Sequence, residues 1–260
     1  MHWFAYAWDV TDSDVPDRIA ELFGPDPVPV DAGVVHVTAL ARRGTKQVVT
    51  MAINEHTPKS ELDTFSLNLA RARADVILTT GQILRDEPAL TYDLFIGEPW
   101  ASALMTWRRE ALGRETPPEV WILTGGQGLD LDHPSFHGWA RPRIVTNEHA
   151  AARLEDPAGE RGIAVSGLQN LHPRGVVQSA GDLGAKTVVV EAGPRTTAVL
   201  YEGPSMIDEL QLSLFEGHLD PSAHAGHPHQ LADLLRDLGS GTGARRHGHW
   251  SFERWTRGGA

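Results

Sequence analysis

The chain contains no cysteine among its 260 residues. That absence excludes disulfides, thiolate nucleophiles and cysteine-ligated metals together, so any nucleophile must be an oxygen or a nitrogen. No run approaches the roughly 18 uninterrupted apolar residues of a membrane span, and the first residues lack the basic-then-apolar layout of a secretion signal. The expectation is a cytoplasmic protein with no membrane partner. Three nucleotide and hydrolase signatures are missing as well: Gly-x-Gly-x-x-Gly after a first strand, Gly-x-x-x-x-Gly-Lys-Ser/Thr, and the Gly-x-Ser-x-Gly elbow. Positive charge is scarce, with 23 Lys and Arg against 34 Asp and Glu and a net charge of −11. Such a chain repels a phosphate backbone unless it carries a local basic patch, so no nucleic acid and a small-molecule partner are expected.

What is present suits a single large core, since 41% of the residues are hydrophobic. From about residue 47 onward, short β-branched or apolar runs alternate with amphipathic stretches, which predicts an α/β fold with a mostly parallel central sheet flanked by helices. Candidate strands are 47–53, 75–80, 119–124, 143–146, 162–165, 187–191, 209–214 and 249–256. Ser60 followed by Asp63 reads as a helix N-terminus, and Leu62, Phe65, Leu69 and Ala72 then form one apolar stripe. Residues 1–45 differ in composition, with acids, prolines and the early aromatics Trp3, Phe4, Tyr6 and Trp8. They are expected to be an N-terminal extension that packs on the domain of residues 46–260 or on a partner subunit. Residues 218–246 are rich in Gly, Pro and His, with a short helical stretch at 230–238.

One segment suggests a phosphate cradle. The apolar run Thr187-Val-Val-Val-Glu191 leads into Ala192-Gly193-Pro194 and then a helical stretch, so a helix N-terminus sits at the carboxyl end of a parallel strand. Gly193 permits close approach of a diphosphate to backbone, free N–H groups beyond Pro194 and the hydroxyls of Thr196 and Thr197 supply donors, and Arg195 adds charge. An ordinary strand-to-helix turn has the same local signature.

A second segment changes the weight of the first. Arg71-Ala-Arg-Ala-Asp75 enters a buried strand and is followed by Asp86-Glu-Pro-Ala-Leu-Thr91; downstream come Val120-Trp-Ile-Leu-Thr124, Leu129-Asp-Leu-Asp-His-Pro134, Val190-Glu-Ala-Gly-Pro194 and Trp250-Ser-Phe-Glu-Arg254. In this order, over roughly residues 47–256, the chain resembles the C-terminal reductase domain of the bifunctional riboflavin-biosynthesis deaminase-reductase. That family is dihydrofolate-reductase-like and reduces a ribosylaminouracil phosphate with NADPH. The resemblance implies a homodimeric, NAD(P)H-dependent reductase acting on a C=N or C=O carbon of a small pyrimidine- or pteridine-like substrate. It implies that Gln82 and Asp86 lie near the nicotinamide nucleotide, that Thr124 and Gly125 lie by the adenosine ribose, and that Gly193, Pro194, Arg195, Thr196 and Thr197 bind the diphosphate. Arg71, Leu90 and Glu191 fall on the substrate side. For the proton, Glu191, Asn54 with a water, or Glu55 are the candidates, and the sequence does not choose among them.

Departures accompany the matches. The family's first strand usually ends in a Ser-x-Asp-Gly-like motif, whereas the first strand expected here ends Met51-Ala-Ile-Asn-Glu55. An arginine that binds the substrate phosphate is replaced by Asp93, whose charge would repel phosphate. The run Thr124-Gly125-Gly126 leaves NADH possible beside NADPH. These differences motivate two alternatives: a diverged reductase acting on another small molecule in a specialised pathway, or a catalytically silent binding protein of the same fold. The 13 histidines, including His218, His224, His227 and His229, lack the spacing of a preorganised metal site, and no metal is expected.

Overall fold

The computed structural model describes residues 14–94 and 100–258, apart from the side chain of His227. Within them the chain runs α1 (Val15–Phe23), β1 (Gly33–Arg43), β2 (Gln47–Met51), α2 (Glu61–Arg73), β3 (Val76–Thr80), α3 (Gly81–Asp86), α4 (Trp100–Glu110), β4 (Glu119–Leu123), β5 (Arg141–Asn147), α5 (Glu148–Gly159), β6 (Ala164–Leu168), α6 (Pro173–Asp182) and β7 (Thr187–Val190). It continues through α7 (Pro194–Tyr201), β8 (Glu209–Phe215), β9 (His224–Gln230), α8 (Leu231–Leu235), β10 (Ser240–Gly241), β11 (Arg245–His247) and β12 (Trp250–Thr256). The main path of the sheet is β10-β12-β8-β1-β7-β3-β4-β5-β6. All pairings from β8 through β6 are parallel, and β12, β10, β11, β2 and β9 add antiparallel strands at the periphery. The expected mostly parallel sheet with flanking helices is therefore present. No helix among the described residues is long and apolar enough to cross a membrane.

The expected extension of residues 1–45 requires correction. Residues 33–43 form β1 in the middle of the sheet, with Val35 opposite Val189 of β7 on one side and Glu209 of β8 on the other. A boundary at residue 45 would cut the hairpin in which Arg43 of β1 faces Gln47 of β2. The acids and prolines around residues 12–29 dominate the composition of this region and mask the β-branched run that follows them. Helix α1 packs Ile19, Leu22 and Phe23 into the same apolar cluster as Phe65, Leu104 and Phe252. Trp3, Phe4, Tyr6 and Trp8 lie outside the described residues. Because β1 is the first strand among the described residues, residues 51–55 follow the second, and the departure expected there says nothing about the end of the first.

Helix α2 starts where its capping pattern places it. Ser60 Oγ accepts from the Asp63 N–H at 3.3 Å, and Leu62, Phe65, Leu69 and Ala72 are all buried against the sheet. Its last turn carries an unusual load for a core helix, two buried arginines. The Arg73 guanidinium donates to both carboxylate oxygens of Glu209 on β8, at 2.6 and 3.0 Å, and to the Pro29 carbonyl at 3.2 Å. Burial pushes the Glu209 carboxyl up, but the charge and hydrogen bonds of Arg73 outweigh it and hold the group below the usual carboxylate range. Arg108 of α4 donates to the Ala72 and Ala74 carbonyls at 2.7 Å, closing the helix end. Asp75 accepts from the Lys186 and Thr187 N–H groups at 2.8 and 2.9 Å and so joins the start of β3 to the start of β7.

Replacing Arg73 by Met strands the Glu209 charge in the core, so urea unfolding of Arg73→Met is expected to show a loss of about 3–5 kcal/mol. The double variant with Glu209→Leu removes the stranded charge and recovers most of that loss. A single variant within about 1 kcal/mol of wild type would contradict this assignment.

His36 of β1 is also buried, with Nδ1 2.9 Å from the Tyr201 hydroxyl. Burial, helped by the neighbouring His229, pushes the imidazole down to about 3 from an ordinary 6.5. The unfolded chain therefore binds this proton more readily than the folded one between those values. Stability from neutral His36 is present above pH 6.5 and is lost as pH falls toward 3. Over that window wild type should lose stability relative to His36→Gln by up to about 1.4 kcal/mol per pH unit, read from unfolding curves at each pH. Parallel pH profiles would contradict the neutral, buried imidazole.

Candidate functional site

A cavity opens at the carboxyl ends of β3, β4 and β7. Strand β3 pairs with β7 on one side and β4 on the other, and chain order reverses there, which is the crevice where open α/β sheets place ligands. The cavity has a volume of about 570 Å³ and is lined by Thr80, Gln82, Ile83, Arg85, Asp86, Leu123, Thr124, Gly125, Leu171, Gly193, Pro194, Arg195 and Thr196. That size suits a small-molecule ligand. Three stretches far apart in sequence, expected to act together, form its wall.

The α7 wall is built on backbone. Gly193 caps the helix without a side-chain hydrogen bond, and Pro194 occupies the first turn. The Thr196 and Thr197 N–H groups turn back to the Gly193 carbonyl at 3.0 and 3.1 Å. A Cβ on Gly193 or Gly125 would meet nothing within 4 Å, so both glycines face open space at the cavity. Thr197 departs from expectation: its hydroxyl donates to the Ala192 and Gly193 carbonyls at 2.9 and 3.2 Å, and the buried side chain serves the turn rather than the cavity. Thr124 is half committed, since Oγ1 accepts from the Gly126 N–H at 3.1 Å. A Cβ on Gly81 would come within 2.9 Å of that same Oγ1, so β3 and β4 close up here only because residue 81 is glycine.

Across the cavity, α3 presents a hydrogen-bonded chain of side chains. Arg85 Nη2 donates to Gln82 Oε1 at 2.8 Å, and Gln82 Nε2 donates to Asp86 Oδ1 at 2.8 Å. Gln82 and Asp86 thus hold Arg85 in place, and Arg85 and Arg195 supply the cationic side chains of the lining. Sequence reasoning passed over Arg85, Ile83 and Leu171. Arg85 immediately precedes the singled-out run Asp86 to Thr91, whereas Leu171 comes from a loop with no local signal.

Glu191 directly follows β7 and is not among the residues lining the cavity. Arg71 Nε and Nη2 grip its carboxylate at 2.8 and 2.7 Å, while Arg71 Nη1 donates to the Asp93 carbonyl at 2.9 Å and the Thr91 carbonyl at 3.4 Å. The guanidinium stacks 5.0 Å from the Tyr92 ring. Burial alone would lower its pKa, but the Glu191 carboxylate prevails and raises it. The side chain of Arg71 is 1% exposed and that of Glu191 11%, so the guanidinium is the more deeply buried partner of the pair. Glu191 thus accepts two charge-assisted hydrogen bonds from one guanidinium.

Other expected residues fall elsewhere. Asn54 donates through Nδ2 to the Ser222 carbonyl at 2.8 Å and accepts at Oδ1 from the His56 N–H at 2.9 Å; both ends are used in the turn after β2, away from the cavity wall. Glu55 is exposed beside His56. The Leu90 side chain packs against the apolar cluster of Ile77, Tyr92 and Phe136, and its carbonyl accepts from Ser135 Oγ. The Asp93 carboxylate accepts from the Trp139 N–H and fills the space over Gly138. It fastens a loop and is not among the residues lining the main cavity. Among the described residues no group of three or more metal-ligating side chains converges.

No family model and no curated protein matches the sequence. The structure, however, resembles known ones. It superposes on the pyrimidine reductase-like protein of Corynebacterium diphtheriae with a TM-score of 0.60 and 16% identity, covering 95% of this chain and 98% of that one. For Acinetobacter baumannii RibD the TM-score is 0.57 at 14% identity, over 88% of this chain and 59% of that one. For the Thermotoga maritima diaminohydroxyphosphoribosylaminopyrimidine deaminase/5-amino-6-(5-phosphoribosylamino)uracil reductase it is 0.53 at 15% identity, over 87% and 57%. The chain spans a little under three fifths of the length of these last two proteins. It has the dihydrofolate-reductase-like fold of the riboflavin-pathway pyrimidine reductases.

Proposed function

We propose that this chain is an NADPH-dependent reductase that delivers hydride to a C=N or C=O carbon of a small pyrimidine-like substrate. The observation that carries the reading is the cavity itself, in which Gly125 and Gly193 leave backbone uncovered at strand ends while Arg85 and Arg195 bring positive charge. That donor set fits a dinucleotide diphosphate: uncovered backbone, a helix N-terminus at Gly193 and two guanidinium groups all favour anionic oxygen. Gln82, Arg85, Asp86, Thr124 and Gly125 would hold one part of the cofactor, and Gly193, Pro194, Arg195 and Thr196 the other. When bound, a reduced nicotinamide supplies the hydride. The protein supplies position, and Glu191, clamped by Arg71, offers a fixed acceptor suited to ring or amino N–H groups of a pyrimidine. Structural neighbours named for 5-amino-6-(5-phosphoribosylamino)uracil reduction support that substrate class. NADH is the alternative cofactor, and the reading includes a cytoplasmic homodimer, for which light scattering would return twice the chain mass.

Gly125→Val and Gly193→Val test the assignment without touching the core. Both variants should unfold within about 0.5 kcal/mol of wild type, because a side chain there meets open space. Each should weaken NADPH binding at least tenfold in a fluorescence titration, equivalent to about 1.4 kcal/mol. Unchanged affinity in both would remove the cavity as the cofactor site. Oxidation of NADPH on adding 5-amino-6-(5-phosphoribosylamino)uracil, followed at the nicotinamide absorbance, tests the reaction. Binding without turnover would favour a reductase of a different substrate.

A further inference from the structure

The charged side chains that line the cavity are two arginines and one acid, Arg85, Arg195 and Asp86. Among the described residues neither arginine is paired with a carboxylate. Asp86 is the next residue after Arg85, yet the two charges bond to Gln82 and not to each other: Gln82 Oε1 accepts from Arg85 Nη2 at 2.8 Å, and Gln82 Nε2 donates to Asp86 Oδ1 at 2.8 Å. An amide orients a guanidinium without neutralising it, so Arg85 is held in place with its charge intact and its other N–H groups uncommitted. The two arginines also differ in position. A Cβ built on Gly81 would lie 3.5 Å from Arg85 Nη1 and 2.9 Å from Thr124 Oγ1, which sets the guanidinium and the hydroxyl over one glycine at the seam of β3 and β4. Arg195 belongs to the first turn of α7, beyond the end of β7, which flanks β3 on the side away from β4. Adjacent strands stand about 5 Å apart, so the two cations start one to two strands from each other.

We infer that Arg85 is the residue by which this chain selects a dinucleotide carrying a phosphate ester on its adenosine ribose, NADPH, over one that lacks it, NADH; the assignment rests on the cofactor reading above. The diphosphate is common to both dinucleotides and is met by the uncovered backbone at Gly193 and the charge of Arg195. A second cation, set apart from the first, matches a second anion set apart from the diphosphate. The ribose ester is such an anion. It is close to doubly charged at neutral pH, its oxygens suit the fork of a guanidinium, and it lies one sugar away from the diphosphate. The hydroxyl that replaces it in NADH carries no charge, and a site built for that hydroxyl supplies a carboxylate to accept from it. The seam of β3 and β4 offers the reverse, a guanidinium beside a threonine, while the one acid of the lining is engaged by Gln82. Arg85 is the contact, and Gln82 is the residue that positions it.

Calorimetric titration of the full chain tests this with two ligand pairs, NADPH against NADH, and adenosine 2′,5′-bisphosphate against 5′-AMP, each pair differing by that one phosphate. Wild type should bind the phosphorylated member of each pair about 10–100-fold more tightly, the worth of charge-assisted hydrogen bonds to one phosphate. Arg85→Met should bring both ratios to within about threefold, by weakening the phosphorylated ligands while NADH and 5′-AMP keep their wild-type affinities. The Arg85 side chain is exposed, so this variant should fold; Arg85→Lys, which keeps the charge and loses the fork, should retain part of the preference and serves should the first variant not fold. Arg195→Met should weaken NADPH and NADH by the same factor. Equal wild-type affinity for the two dinucleotides, equal weakening of both in Arg85→Met, or loss of the preference in Arg195→Met instead, overturns the assignment alone. Failure of wild type to bind either dinucleotide overturns the cofactor reading and this assignment with it.

Discussion

The architecture depends on what the last turn of α2 must do with two buried positive charges. A guanidinium taken out of water is tolerated when a carboxylate of matching geometry takes its charge. Arg73 finds Glu209 at the start of β8, and Arg71 finds Glu191 at the end of β7. Those two demands fix the depth and rotation of α2 over the sheet. Asp75, immediately beyond the helix, adds the amino end of β7 through its N–H groups. One five-residue motif, Arg71 to Asp75, thus ties one helix to three strands.

The site inherits its precision from this arrangement. Because Arg71 spends its remaining donor on the Thr91 and Asp93 carbonyls, the segment after α3 is held in the same network as Glu191. Glu191 and the segment Thr91 to Asp93 are therefore held by one guanidinium, while Gln82, Arg85 and Asp86 hold one another within α3. On the far wall the requirement is the opposite one, uncovered backbone, met by Gly125 and Gly193. The two walls of the crevice thus differ in kind, side chains that hold one another on α3 and bare backbone at Gly125 and Gly193.

Parts of this were legible from local chemistry. The Ser60 cap, the Leu62 to Ala72 stripe and the Gly193-Pro194 turn each have a short-range cause, and each stands where the sequence predicts. The lining residues Gln82, Asp86, Thr124, Gly125 and Gly193 to Thr196 were legible through the family resemblance. What failed was long-range. Nothing near Arg71 in the sequence announces that it grips Glu191, 120 residues away. Asn54 reads as a site residue until the Ser222 carbonyl is found taking its amide. The central strand β1 was lost because the prolines and acids before it colour the whole window, and Thr197 because a hydroxyl after a helix start can turn inward as readily as outward.

The central claim is that the crevice at the ends of β3, β4 and β7 binds the nicotinamide cofactor, and hydrogen exchange read by mass spectrometry tests it most directly. Saturating NADPH should slow amide exchange in peptides covering residues 80–87, 123–126 and 193–197, and leave the antiparallel edge at residues 240–256 unchanged. Protection confined to other segments, or none at all, would contradict the account.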